Sequence, residues 1–155
     1  MSQIIDFYRG TATGAGRTFE QALALDNISW ETSHDLIQWV FPLPEPSRAQ
    51  PQSPVLTEEE LELFRTDEEL QKLAGIAVQR WMEFMAGTTR WKRPRDHNHL
   101  RITRIIRFLT LIGLYEEAGE VFRVAAEGVE GIVPDITIWY WQEAMNDNPA
   151  WLEIR

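Results

Sequence analysis

The chain has 155 residues, of which 44% are hydrophobic and 25% charged. That is enough chain for one domain burying about two-thirds of its unfolded surface, and it excludes a disordered polymer. A formal charge of −9 argues against a surface built throughout for nucleic acid or anionic lipid, and zero cysteines exclude a disulfide frame or a thiolate zinc site.

The opening MSQIIDFYRG has no basic n-region and no long apolar run, so no secretory signal is expected. No apolar stretch reaches the ~20 residues of a membrane span. A cytoplasmic protein is expected, or a nuclear one if the source is eukaryotic. Seven tryptophans and seven phenylalanines predict a well-filled core with one aromatic-lined groove left over.

Ile4 to Tyr8 reads as a short opening turn, followed by a Gly/Thr-rich linker from Gly10 to Arg17. Thr18 is placed to cap a short amphipathic helix, TFEQALAL. A second helix is predicted from near Ser29 to Trp39 or Val40, with Trp30, His34, Ile37 and Phe41 on one face. Pro42, Pro44 and Pro46 then impose an extended stretch through Pro54. Two capping boxes follow, Thr57 with Glu60 and Thr66 with Glu69, each opening a helix. The second helix carries the stripe Leu70, Leu73, Ala77, Trp81 and Met85 and stops at Gly87.

Thr88 to Asp96 reads as a loop. Asn98 to Ile112 returns to helical period and stops at Gly113. At about 100° per residue its apolar side chains leave only the Thr103–Thr110 side plainly polar, which predicts a central helix packed on several faces. An amphipathic helix with Ala118, Val121, Phe122 and Ala125 follows, then a break at Gly131–Pro134. The aromatic segment ITIWYWQEAM is read as a final helix, since no partner strand is in view, with Asn148–Pro149 starting a last turn.

The fold class read from this pattern is all-α: one compact domain over 1–155, a bundle of about six to seven helices with a Pro-rich extended connector. The flexible segments expected are 10–17, 44–56 and 88–96.

Three segments carry a resemblance. HDLIQWVFPLPEPS, within Trp30–Ser47, resembles a family block HDYIQWLFPLPEPS. LTEEELELFR at 56–65 matches a leucine-threonine start and an acidic helix ending in Phe-Arg. HNHLRITRIIRFLTLIGL at 97–114 is close to HNHLRITRIIRFLxxLGL. Together, in this order, they are similar to the conserved domain of the opioid growth factor receptor family. The resemblance spans roughly residues 5 to 145. It implies an all-helical domain. It also implies that animal relatives bind the pentapeptide methionine-enkephalin and restrain proliferation at the nucleus. Those relatives carry long additional regions, and a short acidic stand-alone copy is more like the bacterial members. No peptide-contacting residue is carried over by motif.

The loop GTATGAGRT ends like a phosphate-binding loop, but Thr11 stands where glycine is needed and Arg17 where lysine is needed, so it reads as a connector. His34, His97 and His99 lack the i, i+4 spacing of paired helical ligands, and His34 reads as a hydrogen-bonded core histidine. No metal and no cofactor are expected. No serine or threonine has a base and orienter nearby, so the chain is not expected to be an enzyme.

Arg101 and Arg104 lie among apolar neighbours and must be paired if buried, with Asp35 and Glu45 as attractive carboxylate partners. On that basis His34, Asp35, Trp39, His97, Arg101 and Arg104 are the candidate ligand-binding residues, and the reading is a module that binds an unidentified peptide or protein. An alternative rests on the basic region, which holds eight of the fifteen Lys and Arg residues between Arg80 and Arg107. Arg90, Trp91, Lys92, Arg93, Arg95 and Arg107 would there combine phosphate contacts with base stacking in a nucleic-acid-binding domain.

Overall fold

Every regular element among the described residues of the computed structural model is helical, with a lone bridge between Gly14 and Arg17. The structure describes residues 2–146, so the expected last turn at Asn148–Pro149 lies outside the described residues. In chain order the helices are α1 Gln3–Tyr8, α2 Phe19–Ala24, α3 Asn27–Thr32, α4 Ile37–Val40, α5 Glu58–Thr66, α6 Glu68–Ala86, α7 Asn98–Leu111, α8 Tyr115–Gly128 and α9 Asp135–Met145, with a 3-10 turn at Arg90–Lys92. The expected all-α class is what the chain adopts. Nine α-helices among the described residues exceed the expected six to seven, because the opening turn is itself a helix and the predicted Ser29–Val40 helix is two. No described helix is long and apolar enough to cross a membrane. The chain packs as two units, Met1–Phe84 and Met85–Arg155.

Local capping fixes the helix starts of the first unit. Thr18 and Gln21 form a complete box, as do Thr57 and Glu60, so two orphan N–H groups are met at each end. Asp26 caps α3 by accepting from the Ser29 N–H at 2.8 Å, a bond that also holds its carboxyl below the usual range. The expected Thr66–Glu69 box does not form. Thr66 ends α5 with its hydroxyl on the Glu62 carbonyl at 3.0 Å, and Asp67 caps α6 through the Leu70 N–H at 3.0 Å. Asp67 holds the extended backbone that a cap requires (φ −84°, ψ 120°).

Between α3 and α4 the backbone turns extended at Ser33, with φ −87° and ψ 97°, and the helix stops there. Thr32 and Ser33 favour such a stop, since their hydroxyls compete for backbone groups. His34 is consequently turned out to solvent, which corrects its reading as a core residue.

The core of this unit is aromatic. α1 packs on α4, and Phe7 meets Phe19 and Trp39 at ring-centroid distances of 5.7 and 5.5 Å. Tyr8 stacks edge-on against Phe64 at 4.9 Å. A second cluster joins Trp30, Trp81 and Phe84, and the Trp30 N–H donates to the Ala22 carbonyl at 3.1 Å. Arg80 lies over the Trp30 ring and donates to the Leu23 and Leu25 carbonyls at 3.1 and 2.8 Å, closing the C-terminal end of α2.

In the second unit α7 packs against both α8 and α9, which also meet each other. Every residue from Arg101 to Ile112 is buried, as the expected central helix requires. The side expected to be polar is buried too: Thr103 and Thr110 turn their hydroxyls onto the carbonyls of His99 and Ile106 four residues back. α7 ends in a Schellman motif, in which Gly113 takes φ 86° and the Leu114 N–H reaches the Leu109 carbonyl at 2.9 Å.

The Tyr8 hydroxyl donates to the Val40 carbonyl at the end of α4, and burial raises its pKa well above the ordinary 10.0. A raised acid constant means the fold holds that proton more firmly than the unfolded chain does. Its contribution is therefore whole below pH 10 and lost as pH climbs beyond it. In urea titrations Tyr8→Phe should lower stability at neutral pH by about 1–3 kcal/mol, by leaving the Val40 carbonyl without its donor. The gap between wild type and variant should then narrow above pH 10. A gap constant through alkaline pH would contradict the assignment.

Candidate functional site

The candidate residues divide between the two units. His34, Asp35 and Trp39 belong to the first; His97, Arg101, Arg104, Arg107 and the loop Arg90–Arg95 belong to the second.

In the first unit the α3–α4 corner is held by Arg17, read in the sequence only as part of a glycine-rich connector. Its guanidinium reaches the Ser33 hydroxyl at 3.4 Å and the Asp35 carboxylate at 3.5 Å. Asp35 stays about half exposed, at 52% of its side chain, so the pair is loose and screened. Trp39, half-buried, lies along Phe7 and over Gly14, where an added Cβ would fall 2.4 Å from its Cε3. Only glycine admits the indole there. No described residue accepts a hydrogen bond from the Trp39 N–H. The corner therefore presents an imidazole, a carboxylate and an indole with a free polar tip.

In the second unit Arg101 and Arg104 are each 8% exposed and Arg107 is 4% exposed. Arg101 donates to the Asn98 side-chain oxygen at 3.3 Å. Side chains this deep are parts of the core. Arg107 is thus withdrawn from the proposed phosphate contacts, a correction with a simple cause: α7 is enclosed on every side from Arg101 to Ile112, so no face of it reaches water there. Arg101 and Arg104 likewise have little open surface to offer a ligand.

His97 is exposed beside Asp96, 3.8 Å from its carboxylate, whereas His99 is buried with Nε2 2.7 Å from the Trp91 carbonyl. The two histidines thus have different surroundings. No group of three His, Asp or Glu side chains that could hold a metal occurs among the described residues.

Trp91 is 2% exposed. Its N–H donates to the Met85 carbonyl at 2.9 Å and to that of Thr88 at 3.1 Å, and its ring lies against Gly128. The indole is therefore not available as a stacking platform, which corrects its place in the nucleic-acid set. Around it Arg90, Lys92, Arg93 and Arg95 are exposed. The role of Gly128 has no local sequence signal, because it depends on a ring more than thirty positions away.

The chain is similar to the human opioid growth factor receptor. The identity is 34% over 102 residues, and the match covers 54% of this chain and 15% of the receptor. No family model and no solved structure matches the chain. The similarity supports a related domain, and the chain spans only that 15% share of the receptor's length.

Removing a buried, partnered guanidinium leaves its surroundings uncompensated, at a cost of about 3–5 kcal/mol. Arg104→Ala should accordingly lower the urea midpoint and the thermal midpoint sharply. Arg123→Ala, which removes a half-exposed pair with Glu120 and Glu127, should leave both little changed. Equal, small effects would show that Arg104 is not structural.

Proposed function

We propose that this chain is a non-catalytic helical module that binds a peptide or protein segment at the α3–α4 corner. The observation that carries the reading is Trp39: half-buried on a glycine it needs, with an indole N–H that no described residue accepts. A tryptophan with one face packed and a polar tip open is the residue type that anchors interfaces, since its ring is rigid and its N–H finds a partner on binding. Asp35 supplies a carboxylate for an ammonium or basic side chain, and His34 supplies a hydrogen-bonding ring beside it. The similarity to a protein named as a receptor agrees with a binding role. An enkephalin-like peptide, the ligand that the resemblance implies, is the first probe to try.

Labelled methionine-enkephalin titrated with the full chain, read by fluorescence anisotropy, tests the reading. Asp35→Asn and Trp39→Phe should each weaken binding by about tenfold, the effect of losing one anchor contact, while circular dichroism and the thermal midpoint stay close to wild type. Saturable binding that both variants leave unchanged would remove the corner as the site. Absence of binding by the wild type would remove this class of peptide.

A further inference from the structure

The strongest unassigned feature is the loop that carries Arg90, Lys92, Arg93 and Arg95. The chain has 24 carboxylate residues against 15 Lys and Arg, so a cation finds an acidic neighbour easily. Arg9 meets Asp67 and Glu69 at 2.8 and 3.1 Å, and Arg123 meets Glu120 and Glu127. Lys92, Arg93 and Arg95 differ: no carboxylate of the described residues lies within ion-pair distance of any of them, although all three are exposed.

These charges also stand on a fixed mount. The buried Trp91 ties the loop to the Met85 and Thr88 carbonyls, and its own carbonyl is bonded by His99 from the first turn of α7. The Lys92 N–H closes the 3-10 turn on the Thr89 carbonyl at 3.0 Å, and the Lys92 ammonium lies 5.3 Å from the Trp91 ring centre. At Gly128 an added Cβ would fall 2.3 Å from the indole, so α8 closes directly on the ring. A loop held this way loses little conformational freedom when a partner binds, and guanidinium forks match carboxylates bidentately.

We propose that the loop 90–95 is a preformed docking edge for a short, carboxylate-rich segment of a partner protein, separate from the α3–α4 corner. A peptide is favoured over nucleic acid on three grounds. The indole that would stack on bases is buried, Arg107 is buried, and a chain at −9 repels a long polyanion while tolerating a short one.

The test uses the full chain and a fluorescein-labelled octamer of glutamate, with binding followed by anisotropy at low and at physiological salt. The wild type should bind at low salt and weaken as salt is added. The triple variant Lys92→Gln, Arg93→Gln, Arg95→Gln should lose at least about tenfold in affinity, with an unchanged thermal midpoint and unchanged binding of any ligand at the α3–α4 corner. The proposal is overturned if the wild type does not bind the octamer at low salt, or if the triple variant binds it equally well. It is also overturned if a single-stranded oligonucleotide of the same length binds as tightly. Concentration-dependent self-association that the triple variant abolishes, without octamer binding, would assign the edge to a second copy of this chain and overturn the proposal in the same way. None of these results bears on Asp35 or Trp39, so the two sites stand or fall separately.

Discussion

The second unit depends on keeping water from α7. From Arg101 to Ile112 no residue is more than 8% exposed, so polar side chains there draw their partners from the protein rather than from water. Thr103 and Thr110 manage it on their own helix, and Arg101 reaches one turn back to Asn98. The same demand organises the neighbours. The His99 carbonyl accepts from the Trp141 indole on α9 at 3.1 Å, and the His99 ring reaches the carbonyl of Trp91. Loop 88–96, α7 and α9 are joined by that short run of polar contacts. The position of the basic loop is thus a consequence of how α7 is buried.

Much of this was legible in the sequence where the cause was local. The caps at Thr18 and Thr57 follow from a side chain meeting a backbone N–H three residues on, and Gly113 follows from the left-handed turn that ends α7. The central character of α7 came from its wheel. Failures occurred where two local signals competed. Thr66 and Asp67 are both good caps, and the choice between them rests on which residue takes the extended backbone. The predicted helix through Ser29–Val40 had the right apolar period on both sides of Ser33, and periodicity carries no information about a one-residue break. His34 was misplaced by that error alone: a stripe drawn through a helix that stops at Thr32 assigns the next residues to the wrong face.

The basic region shows the same limit for charge. Eight cations within twenty-eight positions look like one patch when counted along the chain, yet they have three environments. Arg80 closes a helix on two carbonyls, Arg101, Arg104 and Arg107 lie inside, and only the four in the loop face water. Helical geometry separates them, since a residue's neighbours in space are its i+3 and i+4 positions and whatever packs on that face. The candidate site was legible to a smaller degree than the fold for this reason. Exposure decides whether a side chain can touch a ligand, and it is set by packing that no local pattern encodes.

The first and third of the three segments that carry the resemblance can be weighed on the same ground. In HDLIQWVFPLPEPS the buried members are Leu36, Ile37, Gln38, Val40, Phe41, Pro42, Leu43 and Ser47, and in HNHLRITRIIRFLTLIGL they are Asn98, His99 and every residue from Arg101 to Ile112. A buried side chain is constrained by the neighbours it packs against, so likeness there reports a shared arrangement of helices more than a shared ligand. His34, Asp35, Pro46, His97, Leu100 and Gly113 are the exposed residues set into these segments, and Trp39 is half-buried. A ligand that touches these segments meets side chains of that kind, since the buried ones are enclosed by their neighbours.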